Sequence, residues 1–207
     1  MKKHLFLLSS IVLLVLSSCS NNCCTKPQNV IYLIGDGMGF GAVSSLLLSM
    51  EEETGFEQAP VIGLSETCSA NNYVTDSPAG GTALATGHKT NNSTLGQLPD
   101  GTPLESITTK AKNKNYGTGI VVTCYVQHAT PAAFYANVES RSDNDGICDD
   151  FTKRDYDVML GGGLRYFKQY YEKRNKDYNK ELAALGYSRH TDLSKLGSIP
   201  SEGKVLG

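Results

Sequence analysis

Residues 29–41 have the sequence NVIYLIGDGMGFG, in which a continuous apolar run is followed by a loop containing four glycines. The apolar run is rich in β-branched residues, which is typical of a strand buried on both faces of a parallel sheet. We therefore predict a strand at 29–34, a loop at 35–41 and a helix at 42–50. Asp36 in the loop is then expected at the carboxyl edge of the sheet.

The same alternation of strand, loop and helix returns later in the chain. We predict strands at 119–123 and 157–160 and a helix at about 131–138. This alternation indicates an α/β fold in which functional groups collect at the carboxyl ends of the strands. The segment 169–180 is polar and aromatic with charges on all sides, which predicts a surface helix or loop without functional residues. Residues 204–207 are predicted to form another strand.

The charge balance of the chain argues against one class of partner. The 207 residues include 19 Lys and Arg against 21 Asp and Glu, and the formal net charge is −2. Without a run of five or more basic residues, the chain lacks the pattern that supports sustained contacts with a phosphate backbone. We therefore expect no nucleic acid among its partners.

The N-terminus has the features of an export signal. Two lysines precede an apolar run at 5–16 that is too short to span a bilayer stably, and the run leads into Leu-Ser-Ser-Cys at 16–19. The pattern resembles a bacterial lipoprotein signal in which Cys19 is acylated. We predict a signal peptide at 1–18, a polar tether at 19–28 and a protein exported to the periplasm or cell surface, lipid-anchored to the membrane. The alternatives are an ordinary secretory signal with a chance Cys, or a short anchor helix.

The cysteines give no framework for pairing. With Cys19 acylated an odd number remains, and their spacings match no zinc template, so no disulfide connectivity follows. The five are Cys23, Cys24, Cys68, Cys124 and Cys148.

Asp36 is the first candidate for a site. A carboxylate on a glycine-flanked loop beyond a buried strand is a hard-oxygen ligand for a metal ion, although Asp-Gly alone is also ordinary in a turn. A third interpretation is dinucleotide binding, because residues 37–42 fit G-x-G-x-x-A. That pattern needs a second strand that ends in an acidic residue about twenty positions on. Glu57 is near that distance but follows Gly55 and Phe56 rather than an apolar strand.

The segment 74–87 contains the second candidate, Ser77. Pro78 suits the first helical position and Ser77 the N-cap, so the plain interpretation of Ser77 is a structural cap. In the functional interpretation, a serine oxygen at a helix N-terminus lies near unpaired N–H groups and a positive dipole, which would stabilise an esterified phosphate. No Ser-His-Asp constellation supplies a base, so a metal would have to promote ionisation of the hydroxyl.

The third candidate group lies between residues 126 and 141. Thr130 precedes Pro131 and is again interpreted most simply as an N-cap. His128 alone is most often a polar loop residue. Arg141 is either a cation at the end of a helix or a guanidinium fork for a phosphoryl group.

Taken together, segments 30–39, 74–87, 128–141 and 157–163 occur in an order and spacing that resemble the N-terminal half of the alkaline phosphatases. The resemblance covers nearly all of the chain from residue 29 onward. It implies an α/β three-layer sandwich with a mostly parallel central sheet covered by helices, here truncated after the N-terminal half. The predicted domain is therefore 29–207.

The resemblance also implies roles for single residues. Ser77 resembles the serine that is phosphorylated and then hydrolysed, and it also contacts zinc. Asp36 resembles the carboxylate that bridges magnesium and one zinc, Thr130 the threonine that ligates magnesium, and Arg141 the arginine that grips the phosphoryl oxygens. His128 stands beside the magnesium site where some members have Asp. Because imidazole suits zinc better than magnesium, this difference is expected to loosen magnesium binding.

The implied activity is hydrolysis of phosphate monoesters with two Zn²⁺ and one Mg²⁺. Two zinc ions about 4 Å apart clamp the attacking and leaving oxygens of an in-line displacement. The same resemblance is compatible with a homodimer in the full-length form of the protein. Three metal ions need on the order of ten protein ligands, whereas the assigned residues supply three or four. We therefore expect this chain to be an inactive fragment.

Two other functions remain open from the sequence. One is another hydrolase of the same superfamily, a phosphodiesterase or a sulfatase, although relatives of those kinds typically carry threonine or a modified cysteine where Ser77 stands. The other is a lipoprotein that binds phosphate or a nucleotide without turnover.

Overall fold

The computed structural model describes residues 28–199 and 203–207. It divides the chain into one unit, Met1–Gly35, and a larger unit, Asp36–Gly207. The predicted signal peptide, Cys19, Cys23, Cys24 and all but the last residue of the tether lie outside the described residues. Within the described part, no helix combines the length and apolar character needed to cross a membrane.

Helices and strands alternate along the larger unit. The helices are α1 Phe40–Ser49, α2 Ser77–Thr86, α3 Ile107–Lys112, α4 Ala129–Ala132, α5 Asn144–Thr152, α6 Leu164–Glu172 and α7 Tyr178–Ala184. The strands are β1 Gly119–Tyr125, β2 Val158–Gly162, β3 Tyr187–Arg189 and β4 Lys204–Leu206, and a 3-10 helix occupies Leu193–Ser198.

The four strands form one parallel sheet in the order β1-β2-β4-β3. Gly119 of β1 lies opposite Val158 of β2, and Val158 lies opposite Val205 of β4. The predicted α/β class and the predicted strands at 119–123, 157–160 and 204–207 are confirmed. Because all strands run in one direction, their carboxyl ends share one edge, and the loop after β1 leaves the sheet at that edge.

The loop after β1 lies close against the end of β2. Val126 N–H donates to the Gly162 carbonyl at 3.0 Å, so the loop continues the pairing by one residue. Gly163 has φ +109°, and a Cβ there would overlap the fully buried side chain of Gln127. A glycine is therefore required at residue 163 both by its backbone conformation and by the side chain that it accommodates.

Aromatic side chains form the centre of the core. Phe151 of α5 is fully buried, and its ring contacts those of Tyr135, Phe167 and Tyr187 at centroid distances of 6.0, 4.9 and 5.4 Å. The aromatic residues join α5 to α6, to the strand β3 and to the segment after α4. Edge and offset ring contacts of this kind add to the stabilisation that burial itself gives.

The prediction that 169–180 lies on the surface is wrong for Tyr170 and Tyr171. Phe167, Tyr170 and Tyr171 of α6 are all buried. Their spacing of three and four residues places them on one helical face, which packs on the core while the charges occupy the other faces. A tyrosine has a polar hydroxyl but an apolar ring, and the rings of Tyr170 and Tyr171 fill the interior.

The predicted strand at 29–34 is not present. No strand is assigned there among the described residues, and Val30, Ile31 and Leu33 are 76%, 86% and 87% exposed. The run belongs to the unit that ends at Gly35, whereas the sheet lies wholly in the larger unit. An apolar, β-branched run favours a buried strand, but a strand forms only where a neighbouring strand supplies hydrogen bonds.

Two predicted helices differ in length from the structure. The predicted helix at 42–50 is confirmed as α1, which begins two residues earlier. The predicted helix at 131–138 is wrong in extent, because α4 ends at Ala132. Beyond a turn the chain becomes extended, and Val138 pairs with Leu95 in an antiparallel bridge. That long-range pair competes with continuation of the helix.

Truncation of Phe151 tests the importance of the aromatic core. We expect Phe151→Ala to lower the free energy of unfolding by about 3 to 5 kcal/mol, because it leaves a large cavity among three rings. Phe40→Ala is the matched control, since Phe40 is 78% exposed and should change stability by less than about 1 kcal/mol. Urea unfolding followed by circular dichroism gives both values. Equal losses in the two variants would contradict this description of the core.

Candidate active site

Two hydroxyl side chains from distant parts of the sequence meet at one carboxylate. The Ser77 hydroxyl lies 3.0 Å from both carboxylate oxygens of Asp36, and the Thr130 hydroxyl donates to Asp36 Oδ2 at 2.9 Å. Asp36 is exposed, whereas Ser77 and Thr130 are half-buried. The structure therefore brings together three of the residues predicted from the sequence and leaves them accessible to a ligand.

The sequence suggests Ser77 as the N-cap of α2, but the N-cap in the structure is Asp76. Asp76 Oδ1 accepts the Ala79 N–H at 3.0 Å, and the helix begins at Ser77 with Pro78 in its second position. The cap function is thus supplied by a neighbour, and the Ser77 hydroxyl is free to bond Asp36. Sequence analysis missed Asp76, although Asp is as good an N-cap as Ser and directly precedes the Ser-Pro pair.

Thr130 is likewise not a cap. The helix α4 begins at Ala129, its N-cap is His128, and the His128 side chain makes no capping hydrogen bond. Thr130 is therefore the second helical residue, and its hydroxyl donates to Asp36 instead. In both short helices the hydroxyl predicted to cap the backbone is directed to the same carboxylate.

Close packing of α2 against α4 sets the distance between the two hydroxyls. A Cβ at Gly81 would lie 3.0 Å from the Ala133 Cβ and 3.5 Å from the Thr130 Cα. These contacts leave no room for a side chain at residue 81 without displacing α4. The small residues after Ser77 therefore allow the helix that carries Thr130 to approach.

His128 and Arg141 form a pair beside this cluster. The His128 Nε2 and Arg141 Nη2 atoms are 3.0 Å apart. A guanidinium can only donate, so Nε2 must be the acceptor and the ring proton must lie on Nδ1. Burial, and then the positive charge of Arg141, lower the pKa of His128, although the Asp36 carboxylate raises it. His128 is therefore neutral near neutral pH.

Arg141 is not a cation at the end of a helix. It lies in a turn between the bridge at Val138 and the start of α5, and its backbone N–H donates to the Ser93 carbonyl at 2.8 Å. Of the two interpretations drawn from the sequence, the structure excludes this one. The guanidinium is half-buried and directed at His128, next to the loop that carries Thr130.

The dinucleotide interpretation has no structural support. Glu57, the acidic residue that would bind a ribose, lies in a turn, where its carboxylate accepts bonds from the Thr54 N–H and hydroxyl at 2.8 and 3.1 Å. No strand is assigned between residues 28 and 56, so Glu57 lacks the preceding strand that the dinucleotide pattern requires.

The three cysteines in the described residues are free thiols. Cys148 is fully buried in α5, and burial raises the pKa of its thiol to about 12. Cys124, on β1, also has a raised thiol pKa because of burial. Both therefore remain protonated and unreactive at neutral pH.

The donor atoms around Asp36 fit a hard cation. Two carboxylate oxygens and the hydroxyl oxygens of Ser77 and Thr130 lie within hydrogen-bonding distance, and oxygen is the donor that Mg²⁺ prefers. Zinc fits less fully, since Asp36 and Ser77 offer it oxygens only and His128 Nε2 is engaged by Arg141. Among the described residues, no group of three or more His, Cys, Asp and Glu side chains is placed to hold a metal ion.

Comparison with known proteins gives one consistent result. The model of the alkaline phosphatase family matches residues 27–195. Alkaline phosphatase 4 of Bacillus subtilis is 34% identical over 196 residues, which cover 87% of this chain and 41% of that protein. The chain thus spans about two fifths of the length of this relative.

Solved structures agree. The alkaline phosphatase of the Antarctic bacterium TAB5 superposes with a TM-score of 0.81 at 39% identity, over 87% of this chain and 53% of that one. A histidine-to-aspartate mutant of the TAB5 enzyme, with Mg bound in its M3 site, gives a TM-score of 0.80 at 38% identity, over 87% and 52% of the two chains.

The packing of α2 on α4 can be tested with two neighbouring glycines. A Cβ at Gly80 would lie 3.7 Å from its nearest neighbours, so Gly80→Ala should stabilise the helix by about 0.5 to 1 kcal/mol. Gly81→Ala gains the same helix propensity but overpacks the contact with Ala133, and we expect it to be about 1 to 3 kcal/mol less stable than Gly80→Ala. Chemical unfolding of both variants measures the difference. Equal stability of the two variants would mean that α4 can shift to accommodate the added methyl group without loss of stability.

The pairing of His128 with Arg141 predicts how the imidazole titrates in metal-free protein. We expect its titration midpoint, followed by ¹⁵N NMR, to lie below the ordinary value of about 6.5, with the proton of the neutral ring on Nδ1. Arg141→Gln should raise the midpoint only in part, because burial is the larger cause. Since folding lowers this pKa, His128 should cost stability as the pH falls from 6.5 towards its folded value. An unchanged midpoint in Arg141→Gln would contradict the pairing.

Proposed function

Because the chain belongs to the alkaline phosphatase family, we propose that it carries the nucleophile and phosphoryl-binding part of a metal-dependent phosphate monoester hydrolase. The observation that supports this most directly is the convergence of Ser77 and Thr130 on the carboxylate of Asp36, within 3.0 Å. Such a cluster gives a serine oxygen a charged partner and a metal ion a set of oxygen ligands at one point.

Ser77 is proposed as the nucleophile. Its oxygen would form a bond to phosphorus while the bond to the alcohol breaks, which leaves a phosphoserine; water would then displace Ser77 and release inorganic phosphate. Its position in the first turn of α2 suits an esterified phosphate, because free N–H groups and the positive end of the helix dipole lie there. The Asp76 cap leaves the hydroxyl available for this chemistry.

Arg141 is proposed to bind the phosphoryl oxygens. One of its terminal nitrogens donates to His128, which fixes the plane of the guanidinium. The remaining N–H groups form a fork that matches two oxygens of a tetrahedral phosphoryl group. The phosphoryl group in transfer carries spread negative charge, so a fixed cation lowers the barrier by position and charge without covalent help.

Asp36 and Thr130 are proposed to hold Mg²⁺, and Asp36 and Ser77 to contact Zn²⁺. When bound, these ions would neutralise negative charge and lower the pKa of the serine hydroxyl. The oxygen donors around Asp36 support magnesium, and Mg is bound in the M3 site of a histidine-to-aspartate mutant of the TAB5 alkaline phosphatase. A role for His128 as a metal ligand remains a prediction, because its unprotonated nitrogen, Nε2, would first have to give up the hydrogen bond from Arg141.

Export and membrane attachment through acylated Cys19 are proposed from the N-terminal sequence. A periplasmic or cell-surface location would give the site access to soluble phosphate monoesters, and the lipid would keep it at the membrane. Mass spectrometry of the protein from a bacterial membrane fraction tests this, since diacylglycerol on an N-terminal Cys19 would distinguish a lipoprotein from an ordinary secreted protein.

Two substitutions separate the nucleophile from the metal ligand. The test uses a complete alkaline phosphatase whose N-terminal part is this chain, because the assigned residues supply only three or four of the metal ligands. With zinc and magnesium present, incubation of that protein with labelled phosphate at acid pH should place the label on Ser77. We expect Ser77→Ala to lose the label but keep its metal, whereas Asp36→Asn should lose the label and bind metal at least about tenfold more weakly, because a charged ligand is gone. Metal analysis and peptide mapping measure both effects.

Matched controls and the opposing outcomes complete this test. Ser49→Ala and Asp100→Asn make the same chemical changes at exposed residues and should resemble the wild type. Label retained in Ser77→Ala would exclude Ser77 as the nucleophile, and unchanged metal content in Asp36→Asn would exclude Asp36 as a ligand. Phosphate or nucleotide affinity without any labelling would instead favour the binding protein over the enzyme.

A further inference from the structure

Ser93, in the loop between α2 and α3, has an unusual backbone conformation. Its φ is +74°, and the other non-glycine residues with positive φ in the described part of the chain are Asn115 and Asn175. Asparagine tolerates the left-handed region better than other residues with side chains, whereas serine has no comparable advantage. A residue held in this region is one whose surroundings determine its conformation.

Both backbone groups of Ser93 bond to the candidate active site. Its N–H donates to Asp76 Oδ2 at 2.7 Å, and its carbonyl accepts the N–H of Arg141 at 2.8 Å. The other oxygen of Asp76 caps the helix of Ser77 by accepting the Ala79 N–H. Ser93 is thus connected on one side to the helix that starts at the candidate nucleophile, and on the other to the backbone of the candidate phosphoryl clamp.

The neighbouring residues extend this connection. Two residues further on, Leu95 and Val138 exchange both backbone hydrogen bonds, at 2.9 and 3.0 Å. The segments that contain Ser93 and Arg141 are therefore held together at two points. The directions of the N–H and carbonyl of Ser93 depend on its φ and ψ, so a change to the extended region would break at least one of its two bonds.

We propose that Ser93 is a positioning residue, whose left-handed backbone sets the location of the Arg141 guanidinium relative to the Ser77 hydroxyl. The proposal rests on the function proposed above, because it gives Arg141 the phosphoryl group as its ligand. The Ser93 side chain is not part of it: the conformation and the two backbone bonds are what matter. Glycine should therefore replace Ser93 without loss, and a β-branched residue should not.

The test compares three substitutions in the full chain with zinc and magnesium. Ser93→Thr keeps the hydroxyl and adds one methyl at Cβ, Ser93→Val adds branching without a hydroxyl, and Ser93→Gly removes the side chain. Asn115→Thr places a β-branched residue at a comparable φ of +61°, in the turn before β1 and so at the opposite edge of the sheet from the site. The probe is inorganic phosphate, measured by equilibrium dialysis, together with amide hydrogen exchange of Arg141.

We expect the phosphate dissociation constant to rise about tenfold in Ser93→Thr, and further in Ser93→Val, because the clamp is displaced from its ligand. The Arg141 amide should exchange about tenfold faster in the same variants. Ser93→Gly should match the wild type in both measurements, and Asn115→Thr should lower stability without changing either. Metal content should be the same in all variants, which separates this effect from loss of the metal site.

The outcomes distinguish this inference from the function on which it rests. If the wild type binds phosphate and Ser93→Thr binds it equally well, the inference is overturned and the proposed function stands. Weak binding by Ser93→Gly would also overturn it, since the side chain would then be the active part. If Ser93→Val does not fold, the comparison of threonine with glycine still decides. A wild-type chain that binds no phosphate overturns the proposed function, and the positioning role fails with it.

Discussion

The carboxylate of Asp36 accepts hydrogen bonds from two hydroxyl groups that lie 41 and 94 residues further along the chain. Each bond requires a helix to begin at a particular residue. The Ser77 hydroxyl is available because Asp76 caps α2, and the Thr130 hydroxyl is available because Thr130 is inside α4 and does not cap it. The approach of the two helices depends in turn on the absence of a side chain at Gly81. Much of the local sequence around the site can be understood as meeting this one constraint.

The general architecture and the site cluster follow from patterns that are local in sequence. Strands at the sheet centre are recognised from short apolar runs, and residues just beyond their carboxyl ends are expected to meet because parallel strands share an edge. This reasoning, with the family resemblance, brought Asp36, Ser77 and Thr130 into one group, as the structure has them. It could not decide between adjacent residues that cap equally well, so Asp76 was missed in favour of Ser77.

Other features depend on partners that a local pattern cannot reveal. The apolar run at 29–34 has the composition of a buried strand but is not assigned as one. Tyr170 and Tyr171 look polar in a charged segment, although a helical face buries them. The conformation of Ser93 has no sequence signature, because serine does not favour positive φ and its backbone bonds to Asp76 and Arg141, which are distant in sequence. In each case, contacts far apart in sequence override the local preference.

The strand order β1-β2-β4-β3 also has a consequence for the path by which the chain reaches this structure. β4 lies between β2 and β3 but follows both in the sequence, so β3 has no strand to pair with until residues 204–206 are available. During synthesis from the N-terminus, the helices and loops around Asp36 can meet before the sheet is complete. The pairing of β4 with β2 and β3 is then the last step in forming the sheet, and such pairing between distant segments is slow. Until it occurs, the unpaired edges of β2 and β3 are open to association with other chains.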